Sequence, residues 1–236
     1  MGIVELTPRR ILHEDPDLLV VDKPSGLVSH ATVDPHRDHL VAAVSRLLRA
    51  RDGVLGHLAL HHRLDRETSG AVLFSRQPSL DAAIGAAFAE RRVDKVYLAI
   101  VGSQAARSFP DGVTEIDAYL APNKGPGGRT RVVRSGGKPA RTRVRVRGRA
   151  GGRLLVEARP LTGRTHQIRA HLAHLGFPIL GDDLYGGAEP DTKRLLLHAL
   201  RLELDHPRSG ERLCVVAPPP RAFRSRFAEV RALASK

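Results

Sequence analysis

The spacing of apolar positions predicts more strands than helices along this chain. Residues 11–15 and 18–22 stand on either side of a Pro16-Asp17 turn, which is typical of a hairpin. Apolar runs predict strands over residues 71–74, 95–101, 154–158, 195–200 and 213–217, and a period of two predicts one over residues 141–147. Helical spacing occurs over residues 40–48, 79–88, 165–175 and 221–234. Because the strands adjoin one another more than they alternate with helices, we expect a single α+β domain with a mostly antiparallel or mixed central sheet and flanking helices.

Composition divides the chain into a tail, a globular domain and a C-terminal segment. We place the tail at residues 1–10, the domain at 11–220 and a basic helix at 221–236, after the run of three prolines. Within the domain, residues 121–137 are rich in glycine, proline and basic side chains. They offer little to bury, so we predict a mobile basic loop there.

A strict period of two marks the strand that follows this loop. If residues 141–147 are extended, one face carries only arginines, and Thr142, Val144 and Val146 lie on the other. The arginines are Arg141, Arg143, Arg145 and Arg147. A solvated sheet face explains this pattern, but four like charges repel one another, so a bound polyanion explains it at least as well.

The charge balance also indicates a polyanionic partner. The chain has 38 basic residues against 25 acidic ones, a formal net charge of +13. Nearly all of the basic residues are arginine, which suits phosphate binding and stacking on bases. The chain contains no run of about eighteen uncharged apolar residues, so no membrane span is predicted. Its first residues lack the layout of a signal peptide. With one cysteine, Cys214, which we expect to be buried, these features predict a cytoplasmic protein without a disulfide.

Residues 61–70, His-His-Arg-Leu-Asp-Arg-Glu-Thr-Ser-Gly, place one carboxylate between two arginines. Because arginine keeps its proton, Arg63 and Arg66 are expected to hold Asp65 ionised. A small polar turn, Thr68-Ser69-Gly70, then leads into the apolar run at residues 71–74. This order places the carboxylate at the rim of a buried strand.

The segment also resembles a family signature. His62-Arg63-Leu64-Asp65-x-x-Thr68-Ser69-Gly70 resembles the motif of the RluA-like family of pseudouridine synthases. Two further motifs follow along the chain: the second motif, Lys95-x-Tyr97, and the third motif, residues 162–171 (TGRTHQIRAH). Asp22-Lys23-Pro24-Ser25-Gly26 and residues 194–199 (RLLLHA) also match, so the resemblance spans roughly residues 11–220. The resemblance implies the pseudouridine synthase fold and the isomerisation of uridine in ribosomal or transfer RNA.

Roles carried over by position follow from this resemblance. Asp65 is implied as the catalytic carboxylate, Tyr97 as the active-site aromatic and Arg169 as the partner of Asp65. The isomerisation needs no redox step, phosphate transfer or hydrolysis, so no metal or other cofactor is expected. Whether Asp65 attacks C1′, adds to C6 or removes a sugar proton stays open.

RNA contacts are expected around the same motifs. A uridine in folded RNA must leave its stack to reach a buried carboxylate, and Arg63 is the side chain expected to fill the vacated space. The other expected RNA-binding residues are Arg66, Arg164, His166, Gln167, Arg141, Arg143 and Arg145. About ten residues precede the first strand, too few for the S4-type RNA-binding module of many relatives. We expect a monomer with RNA as its partner and no protein partner.

Three other functions compete with this interpretation. A metal-dependent nuclease would use His57 and His61, or His166, His171 and His174, but it would also need clustered carboxylates. A glycosidase would use Asp65 with Glu67, although the surrounding arginines suit a polyanion better than a neutral sugar. A non-catalytic RNA-binding or RNA-folding protein on the same scaffold needs only the basic charge.

Overall fold

The computed structural model describes residues 3–34, 36–102, 108–110, 112–123, 128–187, 192 and 194–234. The chain forms two compact units. Unit 1 comprises Met1–Asp94 and Ala199–Pro218, and unit 2 comprises Lys95–His198 and Pro219–Lys236. In the described part of the chain, no helix is long and apolar enough to cross a membrane.

Unit 1 is built on a sheet of short apolar strands. They are β1 (Ile11–Glu14), β2 (Leu18–Lys23), β3 (Ala59–Leu60), β4 (Ser69–Ser75), β10 (Leu197–Asp205, which enters the unit at Ala199) and β11 (Arg212–Val216). The predicted hairpin at the Pro16-Asp17 turn is present as the antiparallel pair β1–β2. The pairs β2–β4, β3–β4 and β10–β11 are antiparallel as well. Every residue of β4 is buried, as expected for a central strand without polar alternation.

Two helices complete unit 1. They are α1 (Leu40–Asp52) and α2 (Asp81–Ala89), the latter preceded by a turn of 3₁₀-helix over Pro78–Leu80. The apolar residues of α2 pack on β2, β4, β10 and β11 in one core, to which Leu18, Leu73, Ile84, Leu202 and Val215 belong. This burial of one helix stripe against one sheet face is the main source of stability for such a layer.

Unit 2 contains the longer strands and the helix of the third motif. Its strands are β5 (Asp94–Gly102), β6 (Val113–Pro122), β7 (Thr130–Val133), β8 (Lys138–Ala150) and β9 (Arg153–Pro160). Their order is β5-β9-β8-β6-β7, and each of these neighbouring pairs is antiparallel. The helices are α3 (Gln167–His174), α4 (Arg221–Arg224) and α5 (Glu229–Ala234).

The strand register separates two faces of the unit 2 sheet. Tyr97 pairs with Ala158, and Ala158 pairs with Val144, so these three side chains share one face. Helix α3 packs on that face, because Gln167 and His171 both contact the hydroxyl of Thr142. We call it the α3 face. The opposite face carries the arginines of β8, and we call it the arginine face.

Several predictions from the sequence are wrong in detail. Residues 121–137 are not one mobile loop: β6 continues to Pro122, and β7 pairs with it, because Thr130 finds a buried position and Val132 a partly buried one. Residues 124–127 lie outside the described part. The C-terminal segment forms α4 and α5 instead of one helix, and the chain bends between them while Phe223, Phe227 and Val230 all stay buried. Cys214 is exposed on β11.

Candidate active-site residues

Asp65 stands in a tight turn just before the buried strand β4. The turn is closed by the N–H of Thr68, which donates to the carbonyl of Asp65 at 3.1 Å. Thr68 and Ser69 are buried, whereas Asp65 itself is partly exposed. The backbone that carries the carboxylate thus leads directly into β4, in which every residue is buried.

The Lys23-Pro24-Ser25-Gly26 turn holds the Asp65 turn from the other side. Lys23 has no exposed surface, and its Nζ donates to the carbonyl oxygens of Leu27 (2.6 Å) and Arg66 (2.9 Å). The hydroxyl of Ser25 donates to the carbonyl of Glu67 at 2.7 Å. Because buried backbone carbonyls need donors, the two turns are held together as one unit.

Gly70 lets the chain leave the turn toward β4. Its φ is 118°, which L side chains rarely adopt, and a Cβ there would overlap the backbone of Ala199 in β10. Glycine is therefore required on both conformational and steric grounds. The close approach of the two strands fixes the exit direction of the segment that carries Asp65.

The two flanking arginines do not hold Asp65, and this expectation is wrong. Arg66 donates from Nε to Oε1 of Glu67 at 2.6 Å, and Arg63 contacts Nε2 of His30 at 3.4 Å. Both arginines are exposed. The guanidinium of Arg66 is directed at Glu67 and that of Arg63 at His30, so their nearness to Asp65 in sequence does not produce an ion pair with it. Their exposed guanidiniums remain compatible with the expected RNA contacts.

The histidines before Asp65 anchor the segment. Nε2 of His62 accepts the backbone N–H of Leu73 at 3.0 Å, and its ring stacks on Phe88 with centroids 5.0 Å apart. His61 contacts the buried Ser75 hydroxyl at 2.9 Å. Ser75 in turn donates to Asp81 at the start of α2, and burial lowers the pKa of His61. These contacts are structural, since each joins the segment to β4 or α2.

Tyr97 is buried in β5 on the α3 face of unit 2. Two residues earlier, burial lowers the pKa of Lys95, so the second motif enters the sheet with a largely desolvated ammonium. Arg169 belongs to α3, which packs on that same face. Unit 2 by itself thus places the predicted aromatic and the predicted arginine on one side of its sheet.

Arg169 is held by a carboxylate that the sequence did not single out. Its Nε and Nη2 donate to Oδ2 and Oδ1 of Asp182, each at 2.8 Å, and both side chains are buried. Oδ1 of Asp182 also accepts the N–H groups of Leu184 and Tyr185. Two guanidinium nitrogens of Arg169 are thus directed at Asp182, whereas the sequence predicted a pair of Arg169 with Asp65. That pair joins residues of different units and stays a prediction.

Gln167 is a structural residue, which corrects its expected role in RNA binding. Its Oε1 accepts from the hydroxyl of Thr162 (2.7 Å) and the N–H of Arg164 (3.0 Å). Its Nε2 donates to the carbonyl of Arg141 and the hydroxyl of Thr142, both at 2.9 Å. The side chain is buried, so its amide shapes the turn before α3.

Arg164 and His166 stay at the surface of the same turn. Arg164 is half-buried and donates from Nε to the carbonyl of Pro139 at 3.0 Å. His166 adopts a left-handed backbone with φ 53°, directly before α3, which therefore begins at Gln167. Residues other than glycine seldom adopt this conformation, although histidine does so more readily than most. His171, by contrast, has no exposed surface, and burial lowers its pKa to about 4.

Tyr185 connects this turn to the β6–β7 hairpin. Its hydroxyl donates to the carbonyl of Thr130 at 2.8 Å and accepts the N–H of Thr130 at 2.9 Å. The hydroxyl also lies 3.4 Å from Nδ1 of His166. Burial raises the pKa of Tyr185, so the phenol keeps the proton that it donates. Nothing but a Gly-Asp-Asp turn and one aromatic at residues 181–185 marked this cluster in the sequence.

The arginine face contains carboxylates that the period-two pattern did not reveal. Glu115 lies opposite Arg143 and accepts from its Nε at 2.9 Å. Glu157 lies opposite Arg145 but accepts from Arg147 (2.6 Å) and Arg159 (2.8 Å). Burial raises the pKa of Glu157, but the hydrogen bonds from the two arginines lower it by more. The net pKa of Glu157 is therefore below its usual range. Neighbouring strands therefore offset part of the repulsion that the sequence predicted.

One group of metal-ligand type is present in the described residues. Asp15, Asp17 and His206 bring their ligand atoms close together in unit 1. Arg208 donates to both carboxylate oxygens of Asp17, at 2.6 and 2.7 Å, and His13 contacts Asp15 at 2.7 Å. These carboxylates are thus paired with cationic or hydrogen-bonding side chains, and the group does not include the histidines considered for a nuclease.

Comparison with known proteins gives consistent similarities. A family model described as RNA pseudouridylate synthase matches residues 17–174. The chain is 36% identical over 232 residues to the ribosomal large subunit pseudouridine synthase C of Haemophilus ducreyi, covering 95% of this chain and 70% of that protein. Against the Escherichia coli (strain K12) protein of the same name, identity is 38% over 219 residues, with coverages of 88% and 66%. The chain spans about two thirds of the length of these relatives.

Solved structures show the same similarity in three dimensions. Human RNA Pseudouridylate Synthase Domain Containing 4 superposes with a TM-score of 0.74 at 27% identity, covering 94% of this chain and 93% of that one. Human RNA Pseudouridylate Synthase Domain Containing 1 gives 0.72 at 28% identity, with coverages of 96% and 90%. The predicted single α+β domain with a mostly antiparallel sheet is confirmed by these neighbours.

Proposed function

Because the chain belongs to the RNA pseudouridylate synthase family, we propose that it isomerises specific uridines of large-subunit ribosomal RNA to pseudouridine, with Asp65 as the catalytic carboxylate. The observation that carries the assignment of Asp65 is its turn, which Lys23 and Ser25 hold against the fully buried strand β4. The names of the curated relatives favour ribosomal over transfer RNA as the substrate. We expect the protein to act in the cytoplasm as a monomer.

The described residues support a division of labour in the reaction. Asp65 must be ionised to act as nucleophile or base, and Arg169, anchored on Asp182, is the guanidinium that we assign to it. Tyr97 provides a flat, buried ring on the α3 face for packing on the base. Isomerisation breaks the bond between C1′ and N1, turns the uracil and joins C1′ to C5. The hydrogen at C5 leaves as a proton, and N1 takes up a proton.

The RNA has to present an unstacked uridine to this site. Arg63 is exposed next to Asp65, and we assign it to the space that the extruded base leaves. Arg66, Arg164 and His166 are also exposed or half-buried near the motifs and are assigned to backbone contacts. This machinery consists of side chains alone, so we expect the reaction to proceed without an added metal or nucleotide.

Release of label from C5 tests the proposal, because the product has the same mass as the substrate. Large-subunit ribosomal RNA carrying tritium at C5 of uridine should release label with the wild-type protein in the presence of a chelator. Asp65→Asn keeps the shape and removes the charge, so it should release none above background. The variant should still bind the RNA within about tenfold, equivalent to 1.4 kcal/mol.

The outcomes separate the competing functions. Release from transfer RNA transcripts alone would replace the ribosomal substrate. No release from any cellular RNA, with tight binding retained, would favour the non-catalytic RNA-binding protein. Activity of Asp65→Asn would mean that another group performs the chemistry. Asp52→Asn is the matched control, because Asp52 is an exposed acidic residue of α1. This variant should release label at the wild-type rate.

A further inference from the structure

The ring of Tyr185 lies against two guanidinium groups. Cζ of Arg129 is 4.9 Å from the ring centroid, and Cζ of Arg169 is 5.2 Å from it. Asp182 neutralises Arg169 through two hydrogen bonds of 2.8 Å. Arg129 is exposed, and within the described chain no carboxylate pairs with it. The cluster around the ring therefore has a surplus positive charge on its exposed side.

Tyr185 also fixes the backbone that carries Arg129. Its hydroxyl binds both the N–H and the carbonyl of Thr130, the residue that follows Arg129. Its own N–H donates at 3.3 Å to the Asp182 oxygen that accepts Nη2 of Arg169. One residue thus holds the start of β7 with its phenol and shares a carboxylate with Arg169 through its backbone.

The register places this cluster on the side of the sheet that the reaction uses. Thr130 pairs with Pro122, and through β6 and β8 both belong to the α3 face, together with Val144 and Tyr97. Arg131, the next residue of β7, points to the arginine face. Arg129 precedes β7 and is not bound by its alternation: its guanidinium lies over the ring of Tyr185, whose hydroxyl is 3.4 Å from Nδ1 of His166 in the third motif.

We propose that Arg129 binds a backbone phosphate of the substrate RNA and that Tyr185 is the positioning residue that couples this contact to Arg169. The inference rests on the proposed function. A phosphate on Arg129 neutralises the surplus charge, which relieves repulsion between the two guanidiniums and favours the arrangement of Arg169 on Asp182. Backbone binding and orientation of the catalytic arginine are then linked, so each strengthens the other.

The test is a double-mutant cycle on the full-length chain with tritium-labelled large-subunit ribosomal RNA. Arg129→Gln should weaken RNA binding and reduce the salt slope by about 0.7 to 0.9, as expected for one phosphate contact. Tyr185→Leu should lower the single-turnover rate at saturating enzyme about tenfold, because both cation–π contacts are lost. The cycle is evaluated on the single-turnover rate at saturating enzyme. The two changes together should lower this rate by less than the product of the factors by which each lowers it alone.

Conservative and matched variants keep the outcome decisive. Tyr185→Phe retains the ring, so it should recover most of the single-turnover rate while RNA binding stays weaker, because the Thr130 backbone is released. Arg92→Gln removes the same charge from an exposed ion pair with Glu90 in unit 1, and it should keep the wild-type rate.

Two results would overturn the inference. One is a folded Tyr185→Leu protein with the wild-type single-turnover rate, which would make Tyr185 purely structural. The other is multiplicative behaviour of the Arg129 and Tyr185 changes, which would remove the coupling. If Tyr185→Leu does not fold, a cycle of Arg129→Gln and Tyr185→Phe, evaluated on the affinity for RNA, decides whether the two residues are coupled. A different result, no release of tritium from any RNA by the wild-type protein, would contradict the proposed function.

Discussion

At the scale of single residues, the proposed chemistry depends on where the side chains of Asp65 and Arg169 are held. Asp65 sits on a turn fixed by Lys23, and Arg169 is oriented by the buried carboxylate of Asp182. Holding a guanidinium by Nε and one Nη leaves its planar fork in a defined direction. Such preorganisation matters because catalytic charges contribute most when they need no rearrangement during the reaction.

We predict that Arg169→Ala lowers the single-turnover rate of tritium release about a hundredfold or more while the protein still folds. Arg169→Lys should recover only part of the rate, because an ammonium cannot bind two carboxylates in one plane. Asp182→Asn should also lower the rate, since Arg169 then loses its anchor. Thermal unfolding and RNA affinity, measured on the same preparations, separate these effects from misfolding.

Wild-type activity in Arg169→Ala would assign α3 a structural role and leave Asp65 with another partner. The exposed Arg46 of α1, whose guanidinium binds Asp38 in unit 1, offers a matched control. Arg46→Ala removes the same charge from an ion pair that is far from the three motifs in sequence. Its rate should match that of the wild type.

At the scale of elements, strand register decides what each charged residue does. The arginines of β8 share a face with Glu115 of β6 and Glu157 of β9, so ion pairs cross three strands. Cross-strand pairs of opposite charge stabilise a sheet, whereas like charges opposite each other destabilise it. Glu157 is the buried member: Arg147 joins it to β8, and Arg159 binds it within β9.

Glu157 should make the stability of the protein depend on pH. Its net pKa in the folded protein lies below the ordinary 4.5, so its contribution is present above that value and is lost as the pH falls through the lower folded pKa. We predict that Glu157→Gln lowers the free energy of unfolding at pH 7 by about 2 kcal/mol, a value reduced from that of a fully buried pair because both arginines reach solvent.

Denaturant unfolding of the wild type and Glu157→Gln at pH 7 and pH 3 measures this difference, which should shrink at pH 3. Glu90→Gln is the control, because Glu90 forms an exposed pair with Arg92 and should change stability by less than about 0.5 kcal/mol at either pH. A Glu157→Gln protein as stable as the wild type at pH 7 would contradict the prediction.

At the scale of the whole molecule, a net charge of +13 attracts RNA, but only part of that charge is available. Arg143 is paired with Glu115, whereas Arg145 is exposed and, in the part of the chain that the structure describes, has no carboxylate partner. A cation that is already neutralised releases fewer counterions on binding a phosphate. The arginine face is therefore proposed as a graded contact surface for RNA.

We predict that Arg145→Ser reduces the slope of log affinity against log salt concentration by about 0.7 to 0.9, and that Arg143→Ser reduces it less. Neither should change the single-turnover rate at saturating enzyme, because both side chains lie on the face opposite Tyr97. Titrations of RNA at several salt concentrations give the slopes. If the slopes of both variants equal the slope of the wild type, the arginine face does not contact RNA.

The sequence by itself determined the elements and the identity of the main catalytic candidates. Continuous apolar runs predicted the strands β4, β5 and β9, turn residues between two short strands predicted the β1–β2 hairpin, and a period of two predicted β8, because each of these signals lies within a few consecutive residues. The resemblance of short ordered motifs pointed to Asp65, Tyr97 and Arg169, since motif letters are read within a few residues. The family and the α+β class followed from the same local information.

Only the tertiary structure decided which groups meet. The anchor of Arg169 is thirteen residues away at Asp182, Lys23 reaches the turn of Asp65 from 43 residues away, and Gln167 is turned inward. The carboxylates that offset the arginines of β8 lie on neighbouring strands. Such contacts depend on register and strand order, which long-range packing sets and local sequence spacing does not encode.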